Sequence, residues 1–218
     1  MNYYSVSNET DLQVVGAYLQ CKGIPTGDKY NSNWFSLPNS MTKLTNRYFP
    51  IEDPILEFEL KEKAKLTDII SVTNLSAIGL LVNQRTKNLL EGFNLAEHKF
   101  FKAKVKFKRV EYDYFWLHFV KDDFKGLDLR KTIFYNSLFK TDKHDFFRAK
   151  SYNEVLSHIT PKWLFIGIEK LVLDKKSTFS EIDVFYLPII ENIIINEKVI
   201  YKFINQNITG IKYQLISI

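Results

Sequence analysis

The chain has 218 residues, enough to bury a core without disulfides or metal, and its 45% hydrophobic and 25% charged content excludes a disordered chain. A net charge of +5 arises from 30 basic against 25 acidic residues, a balance that permits a polyanionic partner without specifying one. Aromatic residues reach 15%, against 8 Gly and 6 Pro, and this bias favours sheet over helix.

Residues 1–54 mix short apolar pieces with turn formers at Gly23, Pro25, Gly27, Asp28, Pro38, Pro50 and Pro54, and read as a loop-rich cover over a core. The opening stretch lacks the basic and apolar segments of a secretory signal, and Cys21 is the single cysteine. Both features fit a reducing cytoplasm. Leu56, Phe58 and Leu60 alternate with Glu57, Glu59 and Lys61, the pattern of a half-buried strand. Thr67 or Asp68 is expected to cap a helical turn through Ile69 and Ile70.

The most regular stretch begins at His98. Phe101, Ala103, Val105 and Phe107 alternate with Lys102, Lys104, Lys106 and Lys108, so one face of a strand is apolar and the other a lysine ladder. In the next run Phe115, Leu117 and Phe119 alternate with Tyr112, Tyr114, Trp116 and His118. A tight connection over 109–111 makes the two runs an antiparallel hairpin, with the lysines and Tyr112, Tyr114 and Trp116 expected on one face. Charge combined with stacking surface is what single-strand nucleic-acid binders use, while a solvated strand face is the blander reading of the same residues. Residues 121–161 read as loops ending in a helix near Ser151–Ile159, followed by strands within Trp163–Leu173 and Asp183–Leu187. No apolar run approaches the roughly 20 residues of a membrane helix.

Two segments echo one another. Leu80 to Arg85 and Ile193 to Lys198 each carry three apolar residues, an Asn suited to cap a helix, a long polar residue and a basic one. Thr86, Leu89, Leu90 and Phe93 then share a helical face in the first, and Val199, Ile200, Phe203 and Ile204 in the second. Two related halves and chance recurrence of strand, cap and helix both account for the echo.

Chemical motifs are sparse. His98, His118, His144 and His158 lie outside metal-ligand spacings, and Asp142, His144 and Asp145 read as a solvated loop. Asp122, Asp123 and Asp128 around Gly126 lack the alternation of a calcium loop. The sequence contains no phosphate-cradling glycine loop and no nucleophile elbow, and Cys21 reads as an inert thiol in preference to a nucleophile. No catalytic, cofactor-binding or metal-binding residue is therefore assigned.

The segments Lys65 to Ser71, Leu81 to Arg85, Leu89-Leu90, His98 to Phe101, Tyr112 to Phe119, Leu127-Asp128, Asp183 to Tyr186, Ile193 to Lys198 and Ile208 to Ile211 occur in an order that resembles the immunity proteins of bacterial polymorphic toxin systems, in particular the myxobacterial-type immunity domain. Asn83 and Asn196 stand where that family commonly carries Ser, and Thr132 where a Ser is frequent; each exchange keeps a polar capping or hydroxyl group. The resemblance implies a cytoplasmic antidote without catalytic residues whose partner is a cognate toxin protein. The expectation is one α+β domain over residues 1–218, with a largely antiparallel sheet and a few short helices, that acts by binding and not by catalysis. Lys102, Lys104, Lys106, Lys108, Tyr112, Tyr114 and Trp116 are its candidate partner-binding residues, with nucleic acid the alternative partner.

Overall fold

A computed structural model describes residues 1–23, 32–72, 75–120, 126–139, 142–174 and 181–216. In chain order the first elements are β1 (Tyr3–Asn8), α1 (Leu12–Val15), α2 (Ser32–Ser36), β2 (Leu56–Glu59), β3 (Ile69–Ile70), β4 (Gly79–Asn83), α3 (Gln84–Leu90), β5 (His98–Phe107) and β6 (Val110–Phe119). They continue with β7 (Ile133–Ser137), β8 (His144–Phe147), α4 (Tyr152–Ser157), β9 (Phe165–Lys170), β10 (Val184–Leu187), β11 (Asn192–Asn196), α5 (Glu197–Asn205) and β12 (Ile211–Ile216). The fold is α+β and dominated by three mostly antiparallel sheets, ordered β2-β5-β6-β4-β3, β10-β11-β1-β12 and β8-β7-β9.

Several elements depart from the sequence reading. Ile69 and Ile70 form β3, paired with Leu81 and Val82, where a helical turn was expected. Tyr3–Asn8 is an interior strand inside the segment expected to be loop-rich. Ile133–Ser137 and His144–Phe147 are strands in a region read as loops. The expected cover over a core is present nonetheless, because Cys21, Trp34, Met41 and Leu44 pack on Phe101, Val105 and Trp116 of the five-stranded sheet.

Asn83 and Asn196 both cap helices. The Asn83 side chain accepts from Thr86 N, and that of Asn196 from Lys198 N and Val199 N, satisfying helix-end donors that would otherwise lack partners. Each Asn then uses its amide nitrogen in the same way, Asn83 donating to Asp68 Oδ1 at 2.9 Å and Asn196 to Asp183 Oδ1 at 2.5 Å. The main chains repeat the pattern, Asn83 N donating to Asp68 O and Asn196 N to Asp183 O. Arg85 and Lys198 stand near the two carboxylates at 3.6 and 3.8 Å.

The second oxygen of each carboxylate reaches across to the other half. Asp68 Oδ2 accepts from Thr209 N and Oγ1, just beyond α5, and Asp183 Oδ2 accepts from Asn94 N, just beyond α3. Ile69 N and Val184 N complete the exchange by donating to Thr209 O and Asn94 O. The segment leaving each helix is thus clasped by the carboxylate of the opposite unit.

Strand register carries the correspondence through both sheets. Asn83 faces Tyr114, which faces Ala103; Asn196 faces Tyr3, which faces Ile216. The order β3-β4-β6-β5 therefore matches β10-β11-β1-β12, with β1, from the other end of the sequence, in the place of β6. The chain order of the strands in the two units differs by a circular permutation. They pack through one shared core, to which Val82, Leu90, Leu117 and Phe119 contribute from one side and Val6, Ile195, Val199 and Phe203 from the other. The far face of the second sheet, with Tyr3, Phe185 and Ile194, packs on Phe134, Val155, Ile166 and Ile168 beside the three-stranded sheet.

Thr86 and Val199 each stand three residues into a corresponding helix from the capping Asn, and both are fully buried. Thr86 Oγ1 has no hydrogen-bond partner, whereas Val199 carries a methyl group at that place. Thr86→Val, which removes an unsatisfied hydroxyl without changing shape, is expected to raise the unfolding free energy by about 1 kcal/mol in urea melts. A loss of stability would show that the hydroxyl has a partner.

Candidate functional site

The hairpin built by β5 and β6 turns through Lys108 and Arg109, both at positive φ (48° and 69°), so Phe107 faces Val110. This two-residue connection, shorter than the 109–111 expected from sequence, takes a handed turn that matches strand twist. Lys102 consequently faces Phe115, Lys104 faces Asp113 and Lys106 faces Glu111, while Tyr112, Tyr114 and Trp116 face Val105, Ala103 and Phe101. Residues facing each other across a ladder share a side of the sheet.

The candidate face is thus divided. Lys102, Lys104 and Lys106 are exposed on one side, as expected, but Lys108 sits in the turn with its ammonium over the Phe107 ring. Lys104 is bridged by Asp113 at 2.8 Å and Glu111 at 3.2 Å, and those hydrogen bonds raise its pKa. Tyr114 and Trp116, expected at the surface, are 5% and 3% exposed in the core of the opposite side, and Tyr112 packs partly buried against the same cluster. The Tyr114 hydroxyl donates to Thr67 O at 2.7 Å, and burial raises its pKa. Lysines and aromatics do not combine into one stacking surface.

Other residues weighed in the sequence have structural surroundings. The Cys21 thiol is 2% exposed, and burial pushes its pKa up to about 12, well away from a reactive thiolate. Asp142 accepts from Leu138 N, Phe139 N and Ser137 Oγ, bonds that hold its carboxyl far below the usual range, and His144 Nε2 lies 3.1 Å from it. The His144 ring stacks on Trp163 at 4.8 Å. His118 is fully buried between Phe49 and Phe101, and burial lowers its pKa. Among the described residues no group of three His, Cys, Asp or Glu side chains is placed to hold a metal ion. Asp122 and Asp123 lie outside the described residues. No described helix is long and apolar enough to cross a membrane.

A recess lies elsewhere, between the second and third sheets. A groove of about 400 Å³ runs between the edge of β12, with Gln214, Leu215 and Ile216, and β9, with Phe165 to Glu169. Ser5 and Tyr135 also line it, together with a 3-10 turn at Pro188–Ile190 and the last turn of α4 at Leu156. At its wall the Tyr135 ring lies across Gly167, where a Cβ would come within 2.1 Å of the ring, so this approach requires glycine. Leu164 and Leu215 leave 53% and 55% of their surface exposed beside it. Alternation alone could not reveal the groove, because its walls come from strands distant in sequence.

Comparison with family models and with curated proteins yields no match for this chain.

Proposed function

We propose that this protein is a cytoplasmic immunity protein that neutralises a cognate toxin by forming a stoichiometric complex with it. The observation that carries this reading is where the segments resembling the immunity family fall in the fold. Asp68, Leu81 to Arg85, Asp183 to Tyr186, Ile193 to Lys198 and Ile208 to Gly210 supply the capped helices and crossed clasps that join the two permuted units. These residues form one connected framework in the fold. A rigid framework of this kind suits an antidote, which covers or distorts its target and needs no reacting group. An interface of about 1,200 to 2,000 Å² with a few aromatic or apolar anchors would supply the affinity.

Co-expression with the toxin encoded beside its gene tests the reading. Growth should be restored only when this protein is at least equimolar to the toxin, and the two should copurify. Restoration at a small fraction of the toxin level, or chemical alteration of the toxin, would show an enzyme instead.

A further inference from the structure

The two units carry opposite chemistry at one equivalent surface. In the first, Lys87 of α3 extends over the Phe100 and Phe115 rings at 5.2 and 5.3 Å and pairs with Glu91 one helical turn further on. Lys102, exposed, faces Phe115 across the ladder. Counting from the capping Asn residues and along the strand registers, the counterparts of Lys87, Glu91 and Lys102 are Ile200, Ile204 and Leu215. Those of Phe100 and Phe115 are Tyr213 and Tyr4. An ion pair and a lysine in one unit are thus three aliphatic side chains in the other.

Ile200 is buried in the shared core, but Ile204 leaves 50% of its surface exposed, Leu215 55% and Tyr213 39%. These side chains form one face. Leu215 faces Tyr4, whose ring meets that of Tyr213 edge-on at 6.0 Å, and Tyr4 packs on the cluster that holds Ile200, one turn from Ile204. Tyr201, three residues before Ile204 on α5, adds a ring that is 63% exposed. The first unit shows that the framework accommodates charged residues at these places, so folding alone does not call for an apolar face here.

The charge on and around this face selects its occupant. A two-fold contact brings the same patch of two copies together, so a charge of one sign at its middle would meet itself. Tyr201, Ile204, Tyr213 and Leu215 carry none. The charged residues beside Tyr201 on α5 are of both signs, Glu197 and Lys202, and neither is ion-paired among the described residues. Two α5 helices crossing antiparallel bring Glu197 of each copy toward Lys202 of the other. The face is therefore complementary to itself, whereas the equivalent face of the first unit, with Lys102 exposed, would set lysine against lysine.

We propose that two copies of this chain associate through this face, α5 against α5 with Tyr213 and Leu215 of β12 beside them, as a two-fold dimer. The inference is independent of the toxin-binding reading.

Sedimentation equilibrium of the full chain tests it, with a monomer–dimer equilibrium in the micromolar range as the expected result. Ile204→Glu and Leu215→Lys install the residues that the first unit carries at the equivalent positions. Each should weaken association by about tenfold or more while leaving the melting temperature within a few degrees. Hydroxyl-radical footprinting of the unsubstituted chain gives an independent reading if either variant fails to fold, because Tyr201, Ile204, Tyr213 and Leu215 should be protected at high concentration and reactive on dilution. A chain that stays monomeric up to millimolar concentration overturns the proposal. So does a dimer whose association is unchanged in both folded variants, or one that leaves those four side chains unprotected.

Discussion

Replacing Asn196 by Ala is expected to cost about 2–4 kcal/mol of unfolding free energy. The cap itself contributes about 1 kcal/mol. The remainder comes from Asp183, because Asn196 is fully buried and its amide nitrogen lies 2.5 Å from a carboxylate that is 8% exposed. Removing that donor leaves a buried acceptor short of a partner, at roughly 1–3 kcal/mol. Asn83→Ala should cost less, near 1–2 kcal/mol, since Asn83 is only half-buried and Asp68 keeps both bonds from Thr209. Urea melts at constant m would measure both. Equal losses in the two variants, or a loss near zero at Asn196, would show that the clasp does not hold the second unit as the geometry implies.

Gly210→Ala should be more damaging. Gly210 has φ +91, and a Cβ there would lie 1.8 Å from Ile69 O and 2.7 Å from Thr67 Oγ1. A backbone oxygen cannot give way as a flexible side chain can, so Thr209 would have to withdraw from Asp68 and the clasp would open. A cost of about 3–5 kcal/mol follows from strain and overpacking together, lowering the melting temperature by roughly 10 °C. Gly23→Ala is the control, because Gly23 shares the positive φ (+94) but has no atom of the described residues within 4 Å of its Cβ position. It should lose only about 1 kcal/mol. Similar losses at both sites would mean that conformational strain, and not the contact with Ile69, sets the cost.

What could be read from the sequence followed from local rules, and what could not followed from pairing. Asn83 and Asn196 were legible as caps because the signal is confined to a few residues: apolar strand, Asn, then a helical face. Their Asp partners were not, since Asp68 and Asp183 come into range only when β3 and β10 pair with β4 and β11. The misassigned face of β6 has a sharper cause. A three-residue connection over 109–111 would set Lys108 opposite Tyr112, whereas the turn at Lys108–Arg109 sets Lys106 opposite Glu111. The two registers differ by three residues, and a slip by any odd number moves every side chain to the other face. Alternation gave no warning, because β6 lies between two cores and carries large apolar or aromatic residues on both sides.

The permuted relation of the units was equally hidden. Tyr3 corresponds to Tyr114 only through the registers of β1 and β6, and little in Tyr3–Asn8 resembles Val110–Phe119. The echo between 80–85 and 193–198 marked the one portion of the repeat that keeps its order along the chain. Ser5, which lines the groove, is much smaller than its counterpart Trp116.

The central claim is that this protein acts by occupancy and not by turnover. Residual activity of the neighbouring toxin, measured against increasing amounts of purified protein at toxin concentrations well above the dissociation constant, tests it most directly. A straight decline reaching zero at one equivalent is the predicted result. Complete loss of toxin activity at a few hundredths of an equivalent, deepening with time, would contradict it.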